Sequence, residues 1–545
     1  MFPILMVPFG TATQLQRIAL AVVLVGLAFG LRVSSFQWND QLQGDVNLFA
    51  LTAREFRHSG ELRYPIKYEF SDQVPYCEAR SVASQHPPLF PFAGGLLARV
   101  MDTDATFPIL KGLSELGGAI LLLAFAWLAV VARRPGAFFA LALLAASPVM
   151  VDFSANGSPY AWSALALFLA SEFLRDPCRR GLGSFAAAGA LASLAPMLHG
   201  SLLAVPLAFG LGGLLCRPHL SGRKVLVFLA SALAVVAPYA AWSYLNFGTP
   251  FYSYSTHVLW TNLGLAQEGI WDGVVTWRWV PGMSWYEVAA PLLTALGSNG
   301  RGLPEVWFRD AGPFVILLAI VGVVQAVRGS PASALRRSLP ALFYLALVSP
   351  LLFRDRFAVP ILPLIFLAAG AGLSRLVLSS GRFRQTLASG LVVMTFLWIA
   401  AAYLSGAELS RYYGQASSQR LNYPAMLPIA QRFRMLPPGP TLGYSHTLAG
   451  GIEGVYHHGH PLIRGRPHGK RSEELSGEVL TKLVDDFGVR YIWADRLSRP
   501  ELVRLFPDAV EVLRNGAYLV LEIPSHRRSR GGACASGSSA SSPSA

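Results

Sequence analysis

Apolar segments of about the length needed to cross a bilayer recur along this chain, and no other feature narrows its fold as far. They lie near 14–33, 109–131, 136–152, 157–174, 182–198, 201–216, 224–245, 312–327, 338–353, 357–374 and 386–405. A hydrocarbon core of about 30 Å takes about 20 apolar residues in a helix. Backbone polar groups in lipid must be satisfied within the segment, so these runs are expected as helices. Of the 545 residues, 53% are hydrophobic and 14% charged, against about 25% charged in a soluble domain.

Three apolar stretches are too long for one crossing. Residues 182–216 would run about 50 Å as a single helix. Pro196, His199 and Gly200 sit in its middle, so a tight hairpin is predicted there. Residues 136–174 break at Asn156-Gly157-Ser158-Pro159, and 338–374 break at Arg354-Asp355-Arg356. Charge then orients the chain. One set of connections carries Arg133 and Arg134; Arg175, Arg179 and Arg180; Arg217, Arg223 and Lys224; Arg328, Arg336 and Arg337; and Arg375, Arg382 and Arg384. The alternate connections carry few cations outside two long loops and the Arg354/Arg356 pair. The positive-inside rule makes the first set cytoplasmic. With about eleven helices, the amino terminus is inside and the carboxyl region outside. The net charge of +14 therefore reads as topology signals, not as a nucleic-acid surface. Four scattered cysteines, Cys77, Cys178, Cys216 and Cys534, have no disulfide or zinc spacing. A single Arg17 precedes the first apolar run and no A-x-A site follows it, so an uncleaved first helix is expected.

The fold class expected is thus a polytopic α-helical membrane domain over 1–405, a small extracytoplasmic α/β domain over 406–524 and a disordered tail over 525–545. In the α/β region, Glu478–Phe487 has helical spacing and Val489–Ala494 reads as a strand. Val510–Leu513 and Tyr518–Ile523 flank Asn515-Gly516, a hairpin signal. Two long loops share the outer face, at 34–108 and 246–311. The second holds six of the twelve tryptophans: Trp260, Trp271, Trp277, Trp279, Trp285 and Trp307. Tryptophan favours the membrane interface, and sugar stacking is the alternative reading.

The first outer loop opens with Gly44-Asp45-Val46-Asn47-Leu48-Phe49-Ala50-Leu51-Thr52-Ala53-Arg54-Glu55-Phe56. Apolar residues at 46, 49, 50, 53 and 56 follow helical spacing, so an amphipathic helix on the membrane surface is expected. Asp45 at its start is an N-cap on the plain reading and a general base on the functional one. Sugar transfer to a hydroxyl needs a carboxylate to take the proton, with Glu55, Glu61 and Glu78 as other candidates in this loop. Gln85-His86-Pro87-Pro88-Leu89-Phe90-Pro91 precedes re-entry into the membrane, and its prolines hold an extended backbone. His199 is a turn residue or a site residue. Tyr456-His457-His458-Gly459-His460 lacks supporting carboxylates or cysteines and reads as a loop.

These segments resemble the GT-C superfamily of integral-membrane glycosyltransferases, nearest to its protein O-mannosyltransferase, aminoarabinose transferase and lipopolysaccharide-core sugar transferase branches. The likeness is carried by the first-loop Asp45 setting and by His86-Pro87-Pro88-Leu89-Phe90-Pro91. Ser147-Pro148 leading to Asp152 and Ser158-Pro159-Tyr160, Asn246-Phe247-Gly248-Thr249-Pro250, and Arg356-Phe357-Ala358-Val359-Pro360-Ile361-Leu362-Pro363 follow in order. The resemblance implies Asp45 as the catalytic carboxylate. It implies Asp152 as a second outer carboxylate holding the donor phosphate or a metal, and Arg354 and Arg356 as contacts to a lipid phosphate. His86 and Tyr160 are candidate substrate-binding residues. Guanidinium forks suit phosphate oxygens, and charge at a membrane hairpin is rare without function. An internal ion cluster or snorkelling is the plain alternative for the arginines, and a solvated helix end for Asp152.

The function implied is an inverting transfer of a monosaccharide from a polyprenyl-phosphate donor to an extracytoplasmic hydroxyl on a glycolipid, polysaccharide or protein. The expected location is the inner (plasma) membrane. No certain cofactor is implied; a divalent metal held by Asp45 and Asp152 is left open. A flippase of lipid-linked sugars would place its polar groups at mid-membrane in repeated halves, and no repeat is visible. A non-catalytic envelope-assembly protein would tolerate replacement of Asp45.

Overall fold

The computed structural model describes residues 13–38, 41–42, 44–68, 81–83, 87–175, 180–199, 221–247, 303–331, 355–378, 381–404, 421–422, 435–444, 462–464, 477–486, 488–516 and 518–525, with a few single residues and short pieces between them. The helices in chain order are α1 (Gln14–Trp38), α2 (Gly44–Ser59), α3 (Leu89–Val100), α4 (Thr106–Val130), α5 (Ala137–Ala146), α6 (Pro148–Ala155), α7 (Tyr160–Phe173) and α8 (Leu182–Leu198). They continue with α9 (Gly222–Phe247), α10 (Leu303–Asp310), α11 (Pro313–Gly329), α12 (Leu362–Leu378), α13 (Arg382–Leu404), α14 (Gly477–Asp486) and α15 (Arg499–Leu505). A 3-10 turn over Asp355–Ile361 leads into α12. The segments expected near 201–216 and 338–353, most of the 246–311 loop, and the tail from 526 lie almost wholly outside the described residues.

Two compact units emerge. The first holds α1, most of α4, and α5 to α13. Among the described residues, five helices are long and apolar enough to cross a membrane, and α5 with α6, bent by 61°, makes a sixth span if counted as one. α1 shows why. Ala21, Leu24, Ala28 and Arg32 form a buried stripe at helical spacing, whereas Val22, Val23, Leu27 and Val33 are large, apolar and exposed. A helix apolar on its uncovered face suits lipid, not water. α5 is buried on every side, from Ala137 through Ala145, and so stands at the centre of the bundle.

Small residues set the closest approaches. A Cβ on Gly322 of α11 would stand 2.1 Å from the Ala368 carbonyl of α12, and one on Gly372 would stand 2.1 Å from the Leu318 carbonyl. Such small-residue contacts let helix backbones touch where no hydrophobic effect drives association. At one end of the bundle Arg134 and Arg175 pair with Glu172, the former through a short contact and the latter at 3.9 Å. The break expected at Asn156-Gly157-Ser158-Pro159 falls between α6 and α7, with Gly157 at φ +86°. The run expected to cross near 136–152 bends by 61° at Ser147-Pro148. Proline removes the backbone donor and crowds the preceding turn.

The second unit holds α2, α3, α14, α15 and the strands β1 (Gln41–Leu42), β2 (Arg63–Tyr68), β3 (Ser81–Ala83), β4 (Leu421–Asn422), β5 (Thr441–Gly443), β6 (Leu462–Arg464), β7 (Tyr491–Asp495), β8 (Val510–Arg514) and β9 (Tyr518–Glu522). Seven strands form one mixed sheet in the order β3-β2-β6-β5-β7-β9-β8. β2, β6, β5 and β7 run parallel, and the β8–β9 hairpin is antiparallel. The predicted helix, strand and hairpin between 478 and 523 all form. β2 and β3, however, come from the first loop and extend the same sheet, with Ile66 opposite Leu462. β7 is covered on both faces. Ile492 and Ala494 join Leu480, Val484 and Leu502 in a core, while Tyr491 and Trp493 pack edge-on against Phe433 at 5.1 and 5.4 Å.

Candidate active site

Asp45 is the second residue of α2, in its first turn. Val46, Phe49, Ala50 and Ala53 are buried, as their spacing predicts. They face α3. Phe49 meets Phe90 edge-on at 5.8 Å and Phe56 meets Phe92 at 4.9 Å. Gly95 of α3 makes the approach possible, since a Cβ there would stand 2.4 Å from the Ala53 carbonyl. His86 and the Tyr456–His460 run lie outside the described residues.

The far end of α2 is held by charge. Arg54, Arg57 and His58 converge on Asp104: Arg54 at 3.7 Å, Arg57 through a short contact, and His58 Nε2 at 2.8 Å from Oδ1. Arg57 also pairs with Asp102 at 2.9 Å, and the Thr106 hydroxyl donates to the Ala50 carbonyl at 2.9 Å. Partial burial pushes the Asp104 carboxyl up, but the His58 hydrogen bond and the Arg54 and Arg57 charges outweigh it and hold the carboxyl below its usual range. The clasp anchors the far end of α2, the helix whose first turn carries Asp45.

In the first unit Asp152 is buried on α6 and Tyr160 is buried at the start of α7. The Tyr160 hydroxyl and His199 Nε2 are 3.0 Å apart, and Phe153 packs edge-on against the Tyr160 ring at 5.1 Å. His199 is thus tied to Tyr160, which sequence spacing did not indicate. The α6–α7 connection is pinned as well: the Ser114 hydroxyl donates to the Ser158 carbonyl at 2.6 Å, and the Ser158 amide donates to Asn156 Oδ1 at 3.0 Å. The 3-10 turn carrying Arg356 packs against both α6 and α7. The turn that carries Arg356 therefore adjoins the helices bearing Asp152 and Tyr160. Arg354 lies outside the described residues.

Other residues here escaped the sequence reading. Arg32, near the end of α1, is fully buried. Its electrostatic neighbours are Glu115 of α4 and Tyr403 of α13, and Tyr403 also feels Asp152. Arg32 and Glu115, charges inside apolar runs, were the available signal. Nearby, Ser147, Arg309, Asp310, Phe366 and Trp398 line a small cleft. Arg309 Nε lies 3.2 Å from Asp310 Oδ1, whose side chain is buried. Among the described residues, no group of three His, Cys, Asp or Glu gathers to hold a metal. Within the first unit Arg32, Asp152 and Asp310 are buried charged side chains, and guanidinium groups suit anionic ligands.

No protein-family model matches this chain, and no curated protein matches its sequence. Solved structures do match its fold. ArnT from Cupriavidus metallidurans in the apo state aligns over 93% of this chain and 98% of its own, at 16% identity and a TM-score of 0.53. The Archaeoglobus fulgidus oligosaccharyltransferase, in complex with zinc and sulfate, aligns over 89% of this chain and 69% of its own, at 14% identity and a TM-score of 0.57. The chain has the GT-C fold. A further structure, archaeal AglB from the same organism with an inhibitory peptide and a dolichol-phosphate, aligns over 90% of this chain and 70% of its own, at 13% identity and a TM-score of 0.54. As a GT-C fold with helices of membrane-spanning length, the chain is a membrane protein.

Proposed function

We propose that this GT-C chain is an inverting glycosyltransferase. It would move a monosaccharide from a polyprenyl-phosphate donor to an extracytoplasmic acceptor hydroxyl. The observation that carries the reading is a fold likeness to membrane glycosyltransferases over nine-tenths of the chain. AglB is matched in a state that holds a dolichol-phosphate, which supports a lipid-phosphate donor class.

In this reading the acceptor oxygen attacks the anomeric carbon from the face opposite the phosphate. The new C–O bond forms as the old one breaks. The acceptor proton passes to Asp45, and the bonding electrons leave on the phosphate oxygen. Asp45 occupies the first turn of α2, where the helix dipole favours an ionised carboxylate. That is the form a base requires. Arg354 and Arg356 would receive the departing phosphate, because a guanidinium fork matches its oxygens bidentately. Asp152, Tyr160 and His86 would line the donor and acceptor. Asp45 and Asp152 are the carboxylates available to a divalent ion. The amino terminus would be cytoplasmic and the second unit extracytoplasmic, in an inner membrane.

The test is transfer of labelled mannose, glucose or 4-aminoarabinose from polyprenyl phosphate in proteoliposomes, comparing wild type with Asp45→Asn. A folded variant with transfer down about a thousandfold supports the base role. Full activity in the variant removes Asp45 from it and turns attention to Glu55, Glu61 and Glu78. Leaflet exchange of the labelled lipid by wild type, without transfer, replaces the reading with a flippase.

A further inference from the structure

Arg32 makes two hydrogen bonds, both to backbone carbonyls. Nη1 donates to Ala28 on its own helix and Nη2 donates to Leu144 on α5, each at 3.2 Å. The second partner is informative. In an α-helix the carbonyl of residue i accepts from the amide of residue i+4. For Leu144 that residue is Pro148, which has no N–H. The Leu144 carbonyl is therefore left without its helical donor at the point where α5 and α6 bend by 61°. In a lipid-embedded bundle such a group must find another partner, and Arg32 supplies it from α1.

The surroundings fit this use. Ser147 caps α6 by accepting from the Met150 amide at 3.4 Å, so the elbow is satisfied on its other side as well. Gly118 of α4 leaves room for Ser154, since a Cβ there would stand 2.5 Å from its Oγ, and the Arg32 Nε lies alongside at 3.4 Å from that point. Glu115, one turn away on α4, balances the charge. Its carboxylate oxygens are buried and accept no hydrogen bond from the described residues.

We infer that Arg32 is a positioning residue, which clamps the proline elbow between α5 and α6 and so fixes the angle at which α6 presents Asp152. This rests on the glycosyl-transfer reading of the Asp152 end of the bundle. Arg32 itself contacts no reacting atom in this scheme. It acts through the elbow.

The experiment is a double-mutant cycle on the full-length protein. Arg32→Met and Pro148→Ala are made singly and together, with thermal midpoints in detergent and kcat and KM for polyprenyl-phosphate-sugar transfer as readouts. Pro148→Ala restores the backbone N–H that Leu144 lacks. Arg32→Met alone is expected to lower the midpoint, and the Pro148→Ala background is expected to recover at least half of that loss. In transfer, Arg32→Met lowers kcat about tenfold to a hundredfold with KM within about twofold, and the double variant stays slow because the elbow straightens. Arg32→Lys, with one ammonium for two carbonyls, falls between wild type and Arg32→Met; it carries the same cycle if Arg32→Met does not fold. An Arg32→Met loss of equal size in both backgrounds overturns the clamp. Asp152→Asn at full transfer activity removes the catalytic reading of α6 instead, while the thermal cycle still decides the clamp.

Discussion

The Tyr160 hydroxyl and His199 Nε2 face each other at 3.0 Å, with both residues buried and their ring centroids 4.8 Å apart. The pair joins the start of α7 to the end of α8, two helix ends that a sequence places far apart. Tyr160→Phe keeps the ring and its packing on Phe153 but removes the hydroxyl that His199 meets. A buried polar group that loses its partner costs about 1–3 kcal/mol. The thermal midpoint of Tyr160→Phe should fall accordingly, and His199→Ala should cost less in that background than in wild type, because the hydrogen bond between them is then already gone. Additive losses would show that the two residues act separately.

The close approach of α11 and α12 makes a second prediction. Gly322→Ala would drive a methyl to 2.1 Å from the Ala368 carbonyl, a contact that requires a backbone to move. The expected loss is about 1–3 kcal/mol of stability. Gly390→Ala on α13 meets nothing within 4 Å and should be neutral or slightly stabilising through helix propensity. Measuring both thermal midpoints in the same detergent separates packing from propensity.

Gly136 stands under a harder constraint. It begins α5 at φ +76°, and a Cβ would fall 1.9 Å from the Gly370 carbonyl. Gly136→Ala therefore meets both backbone strain and a clash, and loss of more than about 3 kcal/mol is expected. The readout is the yield of monodisperse protein after extraction, with Gly181→Ala, which meets nothing within 4 Å, as the comparison.

The ease of reading this chain varied with the range of the interaction. Membrane helices are legible because lipid demands long apolar runs, and α1, α4, α9 and α13 lie where those runs do. The α6–α7 break was legible because Asn156-Gly157-Ser158-Pro159 is local turn chemistry. The elbow at Pro148 was not. A proline inside an apolar run marks a lost donor without saying how far the helix bends, and the compensating Arg32 sits on another helix. The joining of β2 to β6 was equally hidden, since alternation identifies a strand but not its neighbour. Asp45 was placed in its helix by period alone, while the Asp104 clasp that anchors the same helix depends on a contact between separate segments.

That clasp carries the last prediction. Asp104 is held below the usual carboxylate range by His58, Arg54 and Arg57, despite a burial effect that opposes them. A carboxylate with a depressed folded pKa binds protons more readily when unfolded. Its contribution to stability is therefore complete above the unfolded value of about 4 and disappears as pH falls through the lower folded value. The wild type should lose stability progressively below about pH 4. Asp104→Asn should be less stable at neutral pH by about 1 kcal/mol, since solvent screens these part-exposed ion pairs, and should lose less on acidification. Thermal midpoints of the two proteins measured across the acid range should converge. Parallel curves, separated by the same interval at every pH, would mean that the Asp104 charge does not hold α2 in place.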